Sequence, residues 1–125
     1  MIVIDSSGWL EMFLQSPQAA DFERWLHKDK AVIVPTVVLH EVYKVMRRLR
    51  AEEDATGIAQ SLQSYEVAPL TAELALEAAD CSLQHHLATA DAIIYATAQA
   101  HEATLVTSDQ HFEGLPGVEY LPAEA

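Results

Sequence analysis

Apolar residues in this chain come in short unbroken runs, separated by longer stretches whose apolar positions recur every three or four residues. Ile2–Ile4 and Val32–Val34 are runs of the first kind, and Tyr65–Ala68, Thr104–Thr107 and Val118–Leu121 are further mainly apolar strand segments that include Glu66, two threonines and Glu119. An unbroken apolar run fits a strand covered on both faces, whereas a half-exposed strand would alternate. Between the runs, helical periodicity predicts helices at roughly 8–15, 18–29, 37–50, 52–64, 71–86 and 90–101. Strand and helix alternate along the whole chain. That order predicts an α/β fold, a three-layer α/β/α sandwich around a mostly parallel central sheet. Gly114-Leu115-Pro116-Gly117 reads as a turn before the last strand, and no linker or internal repeat interrupts a single domain over residues 1–125.

Four acids break this pattern by standing beside apolar runs, where core residues would be expected. Asp5 follows Ile2-Val3-Ile4, and Glu41 lies a turn into the helix after Val32–Val34. Asp91 opens the helix that contains Ile93 and Ile94, and Asp109 comes shortly after Leu105-Val106. Ligands in open α/β sheets bind outside the carboxyl ends of the strands. All four positions map to that edge although Asp5 and Asp109 are far apart in sequence. Taken singly, each has an ordinary explanation: a cap, a turn residue, a first-turn acid, or an i,i+3 pair of Glu41 with Lys44. Taken together, they predict one acidic pocket.

The pattern of the third helix refines Glu41. Thr36 is the expected N-cap after Pro35. Val38, Val42, Val45, Met46 and Leu49 form the expected buried stripe, with Glu41 on its margin. Lys44 and Arg48 follow Glu41 at i+3 and i+7 on the same flank. They are either a solvated helix face or a means of steering phosphates to the pocket.

Charge sharpens the problem of neutralising those acids. The net charge is −12, and all seven Lys and Arg residues fall in the first 50 positions, against six acids. Residues 51–125 carry the other 13 acids and no Lys or Arg. So acidic a chain is not a duplex-coating nucleic-acid binder, although one locally neutralised contact is compatible with it. Two carboxylates ~4 Å apart repel by about 4 kcal/mol at an effective dielectric near 20. Oxygen ligands without Cys or His select a hard cation, so Mg²⁺ or Mn²⁺ is the expected cofactor. A carboxylate-held divalent ion is suited to hydrolysing phosphodiesters.

Other chemistry is absent from the sequence. Cys81 is the only cysteine, so there is no disulfide framework, and a reducing, cytoplasmic setting is expected. The apolar segment before Asp5 is too short for a signal peptide, and no stretch reads as a membrane span. His40-Glu41-Val42-Tyr43-Lys44 has Lys44 where a zinc-protease helix needs its second histidine, and the four glycines form no phosphate-cradling loop. His85 and His86, adjacent on a helix, would point apart. His111 is expected on the surface, with contact to substrate as the alternative, and Trp9, Phe13 and Trp25 in the core or a subunit contact rather than as base-stacking platforms.

The segments around the four acids resemble those of PIN-domain ribonucleases, in particular VapC-type toxins of toxin–antitoxin pairs. The resemblance rests on Ile2-Val3-Ile4-Asp5-Ser6-Ser7, Pro35-Thr36-Val37-Val38-Leu39-His40-Glu41-Val42, Ala90-Asp91-Ala92-Ile93-Ile94-Tyr95-Ala96-Thr97-Ala98 and Leu105-Val106-Thr107-Ser108-Asp109-Gln110-His111-Phe112. Each is weak alone, but the ordered set spans essentially the whole chain. The resemblance implies a PIN-like fold and an endoribonuclease in which Asp5, Glu41, Asp91 and Asp109 hold Mg²⁺ or Mn²⁺. It also implies that Ser6 and Thr107 support these ligands or contact phosphate; Ser6 stands where threonine is commoner. A cognate antitoxin and a homodimer are the implied partners. Two other functions fit parts of the pattern. One is a catalytically silent PIN scaffold that binds protein, although the carboxylate set is complete. The other is a receiver-like phosphoacceptor, which lacks support because Ser6 follows Asp5 and no lysine lies beyond Lys44.

Overall fold

The computed structural model describes residues 1–27 and 29–122. Five strands, β1 (Ile2–Ile4), β2 (Ile33–Pro35), β3 (Glu66–Ala68), β4 (Thr104–Thr107) and β5 (Val118–Tyr120), are interleaved with six helices. The helices are α1 (Ser6–Phe13), α2 (Ala19–Leu26), α3 (Thr36–Leu49), α4 (Glu52–Gln63), α5 (Ala72–His85) and α6 (Thr89–Ala100).

Every strand pairing is parallel. β1 pairs with β4 and β4 with β5, while β2 pairs with β3. The two ladders meet at one bridge, Ile2 to Val32, beside the 2.9 Å bond from Ile2 N–H to the Ala31 carbonyl. The order across the sheet is therefore β3-β2-β1-β4-β5. Crossovers run one way from β1 to β2 to β3 and the other way from β3 to β4. Right-handed connections then put the two helix groups on opposite faces, which makes the three layers. The switch of direction lies between β1 and β4, whose register pairs Ile4 with Val106. Asp5 and Thr107 therefore leave the sheet side by side.

β1, β2 and β4 are short and apolar because they are covered from both sides, whereas the edge strands β3 and β5, expected to be buried too, expose Glu66 and Glu119. Ile2, Val3, Ile4, Ile33, Val34, Leu105 and Val106 are all fully buried. Each such side chain contributes about 1.5–3 kcal/mol relative to exposure. Phe22 of α2, Val38 and Val42 of α3, Ile94 of α6 and Phe112 complete the same core. Trp9 is buried and stacks on Phe13, which is half-buried against the core; Trp25 is half-buried, with Lys30 Nζ 5.6 Å from its ring.

Several expected boundaries move. α1 begins at Ser6 because Asp5 caps it directly, and Gln15 ends the segment at φ 54°. Pro35, without any side-chain bond, is the N-cap of α3, and Thr36 is its first helical residue. The buried stripe of α3 narrows to Val38, Val42 and Met46; Val45 is half-buried and Leu49 is exposed. A 14-residue helix is about 21 Å long and a three-residue strand about 10 Å, so the end of α3 overhangs the sheet. α2 stops at Leu26, and Lys28, within the expected 18–29 helix, lies outside the described residues. His86 is the left-handed C-cap of α5 at φ 58°, so only His85 is helical, and its ring meets Tyr95 edge-on.

Candidate metal centre

Asp5 ends β1 and starts α1, and both roles fix its carboxylate. Its Oδ1 accepts from the Gly8 N–H at 3.0 Å, the first-turn bond expected of an N-cap. Its Oδ2 accepts from Ser7 Oγ at 2.8 Å and from Thr107 Oγ1 at 2.7 Å. Burial outweighs these bonds and raises the pKa from 3.8 to about 6, with the charge of Asp109 adding to the rise.

Thr107 links two acids. While its hydroxyl donates to Asp5, it accepts from the Asp109 N–H at 2.9 Å. Asp109 in turn caps the short 3₁₀ turn Gln110–Phe112 through a 2.9 Å bond from the His111 N–H. The His111 ring Nδ1 lies 2.8 Å from the same Asp109 oxygen.

Asp91 is the third residue of α6, half-buried, and its pKa is also raised. Burial is the main cause; the charges of Asp109 and Glu41 add to it and His111 opposes it. Glu41 sits in the second turn of α3, where its Oε1 accepts from Ser6 Oγ at 2.6 Å. These couplings join Asp5 to Asp109, Asp109 to Asp91, and Asp91 to Glu41. The charge of Asp109 thus acts on both Asp5 and Asp91, and that of Glu41 on Asp91. Among the described residues, the ligand atoms drawn within 4.8 Å of one another are those of Asp91, Asp109 and His111, without Asp5 or Glu41. The capping and turn explanations of Asp5 and Asp109 also hold, since one carboxylate serves both purposes.

Lys44 and Arg48 line a groove of about 450 Å³ with Val37, His40, Glu41, Thr89 and Ile93. Both are exposed, and among the described residues neither forms an ion pair. Glu41 bonds Ser6 and leaves Lys44 free, so the simple i,i+3 pair is not what occupies it.

The donor set fits a divalent cation. Ligand atoms of Asp91, Asp109 and His111 all lie within 4.8 Å of one another, and Asp5 and Glu41 adjoin them in charge. Among the described residues, no Lys or Arg forms an ion pair with any of the four acids. Negative charge so concentrated needs neutralising from elsewhere.

A family model for the PIN domain matches residues 2–118. The chain belongs to the PIN-domain family. That match excludes the receiver-like alternative. Solved structures show the same fold at low identity. A toxin–antitoxin complex from Klebsiella pneumoniae superposes with a TM-score of 0.85 and 20% identity over 100% of both chains. VapC20 of Mycobacterium tuberculosis, described as a Sarcin-Ricin loop cleaving toxin, gives 0.80 and 21% over 98% of this chain and 100% of that one. VapBC2 of Rickettsia felis, solved on a promoter DNA fragment, gives 0.76 and 17% over 99% and 100%. No curated protein sequence matches the chain.

Two residues of this PIN domain's acidic group escape a reading of the sequence. Ser7 is one: the capped first turn of α1 aims its hydroxyl back at Asp5. His111 is the other, expected on the surface or at the substrate and not on a carboxylate. It is exposed, yet its ring abuts Asp109 and joins the cluster with Asp91. A serine or histidine two residues after an aspartate that caps a helical turn is the signal that could have found both.

Proposed function

We propose that this PIN domain is a metal-dependent endoribonuclease and the toxin of a toxin–antitoxin pair. The observation that carries the proposal is the electrostatic linkage of Asp5 to Asp109, Asp109 to Asp91 and Asp91 to Glu41 at the switch of connection direction between β1 and β4. In this role the four acids hold Mg²⁺ or Mn²⁺. Bound there, the cation supplies Lewis acidity, stabilising charge on phosphoryl oxygens and acidifying water for attack on phosphorus.

The remaining residues have supporting parts. Ser7 and Thr107 orient Asp5, and Thr107 also tethers the Asp109 backbone. Ser6 holds Glu41. Lys44 and Arg48, in the groove that includes Glu41, bind the RNA phosphates flanking the scissile bond. The fold shared with toxins such as VapC20 supports an RNA substrate and a cognate antitoxin. A basic antitoxin segment suits the acidic surface, and an arginine among the carboxylates would occupy the cation's place. Self-association into a homodimer and a cytoplasmic setting complete the proposal. Among the described residues no helix is long and apolar enough to cross a membrane.

The test is RNA cleavage by purified protein with and without Mg²⁺ or Mn²⁺, followed by sequencing of the new ends. Cleavage is expected to need the cation and to disappear in Asp91→Asn with the fold retained. Cation-independent cleavage, or full activity in Asp91→Asn, would refute the nuclease role. Failure of the wild-type chain to bind Mn²⁺ in calorimetry would point instead to a silent, protein-binding PIN scaffold.

A further inference from the structure

The four carboxylates do not account for everything at the mouth of the site. His111 projects there from the 3₁₀ turn after β4, with 74% of its side chain exposed, where an ordinary surface histidine would have no fixed partner. Its ring is nonetheless held. Its Nδ1 lies 2.8 Å from Asp109 Oδ1, and the backbone N–H of the same residue donates to that oxygen at 2.9 Å. The turn thus fixes ring and carboxylate together. Neighbouring ligand atoms in an octahedral site with bonds of 2.0–2.1 Å are roughly 3 Å apart and opposite ones roughly 4.2 Å. With Nδ1 hydrogen-bonded to Asp109, Nε2 is the ring nitrogen left with a free lone pair, and the limit of 4.8 Å for the Asp91, Asp109 and His111 ligand atoms lies close to the span of a single ion.

We propose that His111 donates a ring nitrogen to the metal held by Asp91 and Asp109, and that this nitrogen makes the site prefer Mn²⁺ to Mg²⁺. The proposal rests on the metal-dependent function above and alters its chemistry. Four carboxylates alone form an all-oxygen site, which accepts Mg²⁺ readily. One imidazole shifts the balance toward transition ions, because Mg²⁺ prefers oxygen ligands in near-ideal octahedra while imidazole binds first-row metals well. Asp5 and Glu41 remain the deeper, oxygen-only part of the site, each tied to hydroxyls.

Electron spin-echo spectroscopy of the full chain loaded with Mn²⁺ tests this without reference to activity. A nitrogen coupling is expected in the wild-type chain, and growth with ¹⁵N-histidine should change it. It should vanish in His111→Gln, whose exposed position leaves the fold intact. Calorimetric titration should show Mn²⁺ affinity falling at least about tenfold in that variant, with Mg²⁺ affinity nearly unchanged. Mn²⁺ bound with no histidine nitrogen coupling would overturn the role of His111 and leave the metal site standing. Equal losses for Mn²⁺ and Mg²⁺ would overturn the selectivity. No Mn²⁺ binding by the wild-type chain would overturn this proposal and the metal-dependent function together.

Discussion

Asp5 shows what one residue can carry. It caps α1, accepts three hydrogen bonds and is buried, yet its pKa is raised to about 6, because the protein stabilises the charged form less than water would. A folded pKa above the unfolded one means that the native state holds the proton more tightly. The corresponding stability is fully present below about pH 4 and is lost as pH rises through 6. A rise from 3.8 to about 6 corresponds to about 3 kcal/mol. Metal-free Asp5→Asn is therefore expected to be more stable than the wild-type chain at pH 7.5, with the advantage vanishing near pH 4. Urea unfolding at both pH values, in the presence of chelator, measures this. An Asp5→Asn protein less stable at pH 7.5 would mean that its hydrogen bonds outweigh its buried charge. Thr107→Val isolates the hydroxyl, since valine preserves the shape of a fully buried side chain. Loss of the bonds to Asp5 and Asp109 is expected to weaken Mn²⁺ binding by about 10–100-fold in calorimetry. The placement of Asp5 was legible from the sequence, because an acid ending an apolar strand is conspicuous. His111 was not, because its reach to Asp109 depends on a 3₁₀ turn that leaves no hydrophobic period.

At the level of elements, the site depends on how closely α1 lies on the sheet. A β-carbon on Gly8 would fall 2.6 Å from Ile4 Cγ2 and 2.7 Å from the Phe22 ring, both in fully buried side chains. Helix propensity alone favours alanine by about 1 kcal/mol. Overpacking against a β-branched side chain and a core ring costs about 1–3 kcal/mol and here prevails. Gly8→Ala is therefore expected to lower the melting temperature. It should weaken metal binding as well, because the Gly8 N–H and Ser7 Oγ that orient Asp5 move with α1. A higher melting temperature with unchanged Mn²⁺ affinity would show that the contact yields freely. The order and type of the elements could be read because short apolar runs of three or four residues alternate with longer helical periods. The ends could not, since they are decided by tertiary neighbours: Asp5 starts α1 two residues early, and Leu49 is bare where α3 overhangs the sheet.

Across the whole molecule, the distribution of charge constrains how RNA can bind. The cations lie in the first 50 residues, while Asp91 and Asp109 belong to a half without Lys or Arg. The sheet order brings the halves together by setting β1 beside β4, and Lys44 and Arg48 line the same groove as Glu41. The convergence of the acids and the Glu41 flank of Lys44 and Arg48 follow from the linear pattern; the strand order that sets β1 beside β4 does not. This arrangement has a measurable consequence. A basic nucleic-acid-binding protein makes many phosphate contacts and loses affinity steeply with salt. If Lys44 and Arg48 supply two phosphate contacts, log K against log salt for single-stranded RNA should have a slope of about −1.4. Filter binding to Asp91→Asn, chosen to prevent cleavage, at fixed Mn²⁺ and varied NaCl measures it. Lys44→Ala and Arg48→Ala should each flatten the slope by about 0.7. A slope unchanged in both variants would remove Lys44 and Arg48 from the interface and leave the cation or a partner protein to attract the RNA.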